Sequence, residues 1–102
     1  MAMMITPQAR RRIAGAVEAL PDAASRHRWE AWARQTAPNQ ICNDVPYDIA
    51  EIAFEALVAD ERRIEERLGT PAIDEDLEAD LLNDLGYIQA IETALRNEGI
   101  GR

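Results

Sequence analysis

PYDIAEIAFEALVADERRIEERL, residues 46–68, is the stretch that decides the fold of this chain. Apolar side chains recur along it at the spacing of one face of an α-helix. They are Ala50, Ala53, Leu57, Ile64 and Leu68, with Ile49 and Phe54 widening the stripe. Gly69 follows directly and is a typical helix-terminating residue. The pattern predicts one long amphipathic helix, around which the rest of the chain is organised.

Two shorter helices are predicted before the long one. The first has Thr6 as its N-cap and Pro7 at its first position. It ends near Pro21, because a proline disfavours helical backbone at the residue that precedes it. The second is capped by Asp22 and runs over about residues 23–36, with both tryptophans of the chain on its core face.

The long helix and the last helix have their own candidate N-caps. Asp44 or Asp48 can cap the long helix, the latter with an acidic residue three positions later. Thr70-Pro71 repeats the cap-then-proline pattern, so the last helix is predicted to begin there and to end at residues 97–99. No segment alternates with the period of a β-strand. The prediction is an all-α fold, a single small four-helix bundle-like domain over residues 1–102.

Composition is that of a folded protein without a membrane span. Of 102 residues, 47% are hydrophobic and 29% are charged, which argues against wholesale disorder. No apolar run approaches the ~20 residues that cross a bilayer. Arginines at positions 10–12 follow the apolar N-terminal residues, whereas a signal peptide has its positive charge first. Cys42 is the only cysteine, so no internal disulfide can form. These features predict a cytoplasmic location.

Charge is the most informative property of the sequence. The net charge is −8, which disfavours binding to nucleic-acid phosphates or anionic membranes and favours a basic partner. The distribution is uneven. Residues 1–45 carry six arginines and four acids, for a net +2, whereas residues 46–102 carry five arginines and fifteen acids, for a net −10.

The strongest candidate binding site lies on the last helix. Asp76, Asp80 and Asp84 are four residues apart, so they stack along one side of the helix and form what we call the acidic ridge. Tyr87 continues this line and Glu98 lies further along it. Like charges at this spacing cost a helix ~0.2–0.5 kcal/mol per pair. We predict that these five residues bind a basic partner, with Tyr87 as the aromatic anchor.

Each of these features also has a plainer interpretation. A run of charges is commonly a solvated helix face, and the ridge fits that interpretation about as well. Arg10, Arg11 and Arg12 resemble a nucleic-acid patch, but they can equally meet the acidic half of the same chain. Glu61 falls near the centre of the apolar stripe of the long helix. We expect it to be partly buried and paired with an arginine such as Arg10 or Arg26, since buried charges need partners.

Acidic residues on two adjacent helices also raise a metal-site alternative. Glu61 and Glu65 on one helix, with Asp80 and Asp84 on the next, could hold Mg²⁺. This layout is similar to that of MazG-like nucleotide pyrophosphohydrolases, which pair an EExxE helix with an ExxD helix. The chain departs from both motifs, because Glu61 has no acid three residues later and Glu78 is followed at that spacing by a leucine. We assign no family from this resemblance.

The sequence therefore favours a binding protein over an enzyme. No catalytic residue, metal ligand or cofactor site is predicted, because nothing places a base or nucleophile beside His27 or Cys42. The expected role is neutralisation of a basic, toxin- or nuclease-like protein, as in immunity proteins, antitoxins and phage inhibitors. Two alternatives stay open. One is the metal-dependent nucleotide hydrolase, and the other is a self-associating protein, including a homodimer, whose oppositely charged halves attract.

Overall fold

Four α-helices make up the described part of the computed structural model, residues 5–35, 45–71 and 73–101. They are α1 (Pro7–Glu18), α2 (Ala23–Ala33), α3 (Tyr47–Leu68) and α4 (Glu75–Asn97). The predicted all-α, four-helix fold is confirmed. Among these helices, none combines the length and the apolar content that a membrane-spanning segment needs.

Helix α3 is the centre of the fold, as its apolar stripe predicts. It packs against α4, α1 and α2. Three alanines of its inner face and Leu57 have no exposed surface at all; the alanines are Ala50, Ala53 and Ala56. Side chains this small let the neighbouring helix axes approach closely, so α3 can pack against all three other helices at once.

Helix α2 contributes the aromatic part of the core. Trp29 and Trp32 are both buried, and their ring centroids lie 5.1 Å apart at an interplanar angle of 52°. This tilted arrangement is one that aromatic pairs prefer. The last helical residue is Ala33, three positions before the predicted end at Thr36, which lies outside the described residues.

The first two N-caps are confirmed. The Thr6 hydroxyl accepts a hydrogen bond from the Ala9 amide at 3.1 Å, and Pro7 occupies the first position of α1. The Asp22 carboxylate accepts from the amide of Ala24, also at 3.1 Å. Each bond satisfies an amide that the helix itself leaves without an acceptor.

The cap predicted at Asp48 is wrong. Pro46 occupies the N-cap position of α3 and no side chain bonds there. Asp48 lies instead within the first turn, where its carboxylate is 3.9 Å from the guanidinium of Arg28 on α2. A carboxylate in the first turn still interacts favourably with the helix dipole. The alternative cap, Asp44, lies outside the described residues.

The predicted start of α4 at Thr70-Pro71 is also wrong. Thr70 still belongs to the end of α3, because its hydroxyl donates to the Glu66 carbonyl at 3.3 Å. The helix begins at Glu75, and Asp74 caps it by accepting from the Asp76 amide at 3.2 Å. Asp74 is therefore the N-cap of α4.

The C-terminal end of α4 falls where it was predicted. The amide of Gly99 donates to the Arg96 carbonyl at 2.9 Å, and that of Ile100 donates to the Leu95 carbonyl at 3.0 Å. This pair of bonds is a Schellman motif, which needs a left-handed residue after the cap. Gly99 meets that need with a φ of 94°. The fully buried Ile100 side chain then anchors the end of the chain to the core.

Candidate functional site

The acidic ridge lies on one side of α4, as predicted. Asp76 and Asp80 are exposed, and the side chain of Asp84 is 44% exposed. Residues 74–84 include six acids and no basic residue, so their charge is not balanced within the segment. The first two turns of α4, residues 75–80, are exposed on every side. The N-terminal half of α4 therefore presents carboxylates to solvent in several directions.

Asp84 differs from the other two ridge residues because it meets an arginine of α1. Arg12 Nη1 lies 3.6 Å from Asp84 Oδ1, and Arg12 Nη2 lies 3.5 Å from Asp60 Oδ2. Asp60 is in turn 3.1 Å from Arg63 on α3. The resulting network of charges joins three helices. Arg12 therefore contacts the acidic half of the same chain.

Tyr87 is half-buried and lies at the edge between α4 and α1. It lines a polar cleft of 580 Å³ next to Asp84. The other residues around this cleft are Gln8, Arg11, Arg12 and Asn83. The side chain thus combines core packing with an accessible edge, the arrangement expected of an interface tyrosine.

Glu98 is not brought together with the ridge. It is exposed and occupies the C-cap of α4. It lies fourteen positions after Asp84, which in a helix is a distance of about 21 Å. Any partner that contacts both positions has to cover most of the length of α4.

Comparison with known protein families, with curated proteins and with solved structures finds no match to this chain.

A buried carboxyl group that the sequence analysis missed lies in the C-terminal half of α4. Glu92 is 1% exposed, although it is a charged residue type in the acidic half of the chain. The spacing of apolar residues could have predicted this burial, since Glu92 is four residues after Ile88 and three before Leu95, both fully buried. Helical periodicity places it on the core side of α4, regardless of its charge.

Glu61 of α3 is the carboxyl group that faces Glu92. Burial is the main reason why the pKa of Glu92 rises from its ordinary 4.5 to about 7, and hydrogen bonding and like-charge repulsion from Glu61 add to the effect. Glu65 raises the pKa further, whereas Arg96, whose Nη2 lies 3.6 Å from Glu92 Oε2, opposes the rise. Among the described residues, Glu92 Oε1 is buried without a donor. With a pKa of about 7, the Glu92 carboxyl group is partly protonated near neutral pH.

The predicted pairing of Glu61 with an arginine stays a prediction. Glu61 is partly buried, as expected. Both candidate arginines donate to backbone carbonyls, Arg10 to that of Ala33 and Arg26 to that of Leu20. The neighbour that it shows for Glu61 is Glu92.

No three acidic, histidine or cysteine side chains converge closely enough to hold a metal ion in the ranges that the structure describes. Of the four carboxylates considered for Mg²⁺, Glu61 faces Glu92 and Asp84 faces Arg12. Asp80 and Glu65 are exposed.

Replacing Glu61 by glutamine should lower the pKa of Glu92 towards its ordinary value. The change removes a like charge and supplies an amide that can donate to the ionised carboxylate. Burial persists, so the pKa should stay above 4.5. The measurement is an NMR titration of the Glu92 side-chain carboxyl. Glu65→Gln is the matched control and should shift it less, because Glu65 is the weakest contributor. An unchanged pKa in Glu61→Gln would show that the two carboxyls do not interact.

Proposed function

We propose that this protein binds a basic protein partner through the acidic ridge and neutralises that partner by covering its surface. The observation that carries the proposal is the exposed segment 74–80 at the start of α4, which has five acids and no basic residue. Charge complementarity of this kind steers association and raises association rates above the neutral ~10⁵–10⁶ M⁻¹s⁻¹. A cationic surface on a toxin- or nuclease-like protein is the matching partner.

The class of protein that fits this proposal is a small neutralising inhibitor of the immunity-protein, antitoxin or phage-inhibitor type. The net charge of −8 supports it, since opposite fields favour a basic target over other proteins. Tyr87 supports it as well, because aromatic side chains at the edge of a charged surface are common interface anchors.

Replacing Asp80 by asparagine should weaken binding and leave stability unchanged or slightly higher. Asp80 is exposed and lies four residues from Asp76 and from Asp84, so its loss relieves like-charge repulsion of ~0.2–0.5 kcal/mol per pair. Loss of one exposed contact charge should cost up to about 1 kcal/mol of binding free energy, roughly fivefold in Kd, and less at high salt. The measurements are thermal unfolding and titration calorimetry with a basic protein captured by the wild-type chain.

Glu18→Gln on α1 is the matched control for Asp80→Asn. It removes the same single charge from another exposed position, so it changes the overall field but not the ridge. Equal affinity of the two variants across salt concentrations would show that the ridge is only a solvated face. Asp84 is unsuitable for this test, because its replacement also breaks the contact with Arg12.

Self-association is the second candidate function. Leu77 and Leu82 on α4 are 36% and 52% exposed, and exposed apolar residues on one helix can form an interface between copies of a chain. Sedimentation at low and high salt distinguishes two modes of self-association. Association through the oppositely charged halves weakens with salt, whereas association through the leucines does not.

A further inference from the structure

A groove runs between α1 and α4 because both helices pack on α3 and make little contact with each other in the described part of the chain. One end of this groove is apolar and has a volume of 210 Å³. Its lining is apolar except for Thr6 and the Tyr87 hydroxyl, and consists of Ile5, Thr6, Ala9, Tyr87, Ala90, Ile91 and Ala94. Ala90 and Ala94 are exposed, so a second protein can reach this end of the groove directly.

The apolar groove and the acidic ridge adjoin each other at Tyr87. Tyr87 lines both the apolar end and the polar cleft that contains Asp84. Beyond Asp84 the same side of α4 carries Asp80 and Asp76. From Ala94 to Asp80, fourteen positions or about 21 Å along the helix, the surface thus changes from apolar through aromatic to acidic.

We propose that this groove receives an amphipathic helix of the partner protein, apolar at one end and basic at the other. The proposal rests on the proposed function and specifies what the ridge and groove recognise together. Charge complementarity selects the basic end, which lies on Asp80 and Asp76. The small side chains at positions 9, 90 and 94 allow a helix to approach closely. A helix satisfies its own backbone hydrogen bonds, so it needs no strand edge on this surface.

Arg11 determines where the cations of the partner helix lie. Its side chain lines the polar cleft from the α1 side and is exposed. A lysine or arginine placed beside it would be repelled, so the basic residues of the partner follow α4 and not α1. The matching helix is about fifteen residues long, with an apolar half against Ala90 and Ala94 and a basic half beyond Tyr87.

The test uses a synthetic fifteen-residue peptide with leucines at helical spacing in one half and lysines in the other. A lysine-only peptide of the same length is the second probe. Two-dimensional NMR of the isotope-labelled protein locates binding and gives Kd. The leucine–lysine peptide should shift the amides of Ala9, Ala90 and Ala94, and Ala90→Arg should weaken its binding about tenfold. Ala31→Arg, at an exposed position of α2, is the matched control and should change Kd less than twofold.

The outcomes separate the groove from the ridge. If Ala90→Arg and Ala31→Arg bind the leucine–lysine peptide equally well, and the chemical-shift changes are confined to Asp76 and Asp80, the groove is not a binding site. The proposed role of the ridge then remains. If neither peptide changes the chemical shifts of the ridge residues, and Asp80→Asn does not change the Kd of either peptide, both the groove and the ridge are excluded as binding sites. Ala94→Gln narrows the groove without adding charge, and circular dichroism checks the fold of each variant. Loss of leucine–lysine binding in Ala94→Gln, with lysine-only binding retained, would support the groove independently.

Discussion

Leu57→Ala should lower the free energy of unfolding by about 2–5 kcal/mol, the usual range for a leucine removed from a closed core. Leu57 has no exposed surface and lies on α3, the helix against which α1, α2 and α4 all pack. A cavity there weakens several helix contacts at once. Such a loss is a large part of the total stability of about 5–15 kcal/mol that is usual for folded proteins.

Urea unfolding followed by circular dichroism measures this effect. Leu82→Ala is the matched control, since Leu82 is 52% exposed on α4 and the same atoms are removed. The control should change stability by no more than about 0.5 kcal/mol. A loss below about 1 kcal/mol in Leu57→Ala would contradict the central position of α3.

The second large effect is a loss of stability as the pH rises from 5 to 8. The folded state keeps a proton on Glu92 up to a pKa of about 7, whereas the unfolded chain releases it near the ordinary value of 4.5. The folded state therefore binds more protons in this interval, and its stability falls with increasing pH. The contribution is fully present below about pH 4.5 and is lost as the pH passes through 7. Its full size is about 3 kcal/mol.

Glu92→Gln should flatten this dependence. The uncharged amide removes the titration, so the variant should be the more stable protein at pH 8 and close to wild type at pH 5. Glu98→Gln, at an exposed position at the end of the same helix, should keep the wild-type dependence. Denaturant unfolding at pH 5, 6, 7 and 8 gives the comparison. Wild-type protein equally stable at pH 5 and pH 8 would show that Glu92 is ionised in the folded state throughout.

Local signals in the sequence determined the helices and most of their ends. The apolar spacing within residues 46–68 predicted α3, and Thr6, Asp22 and Gly99 marked helix ends that the structure shares. These predictions succeed because a cap or a helical period involves residues within about four positions of each other. The start of α4 was misplaced because the Thr70-Pro71 pattern resembles a cap, while the Thr70 side chain bonds back to α3.

Tertiary structure alone decided which side chains meet across helices. The sequence showed that Asp84 lies on the acidic ridge, but not that Arg12 reaches it and Asp60 together. It showed Glu61 near an apolar stripe, but not that another glutamate faces it. The groove beside Tyr87 likewise arises because α1 and α4 share α3 as a support. Helical periodicity assigns each residue to a face of its own helix, whereas the partner of that face depends on how the helices pack, which involves residues distant in sequence.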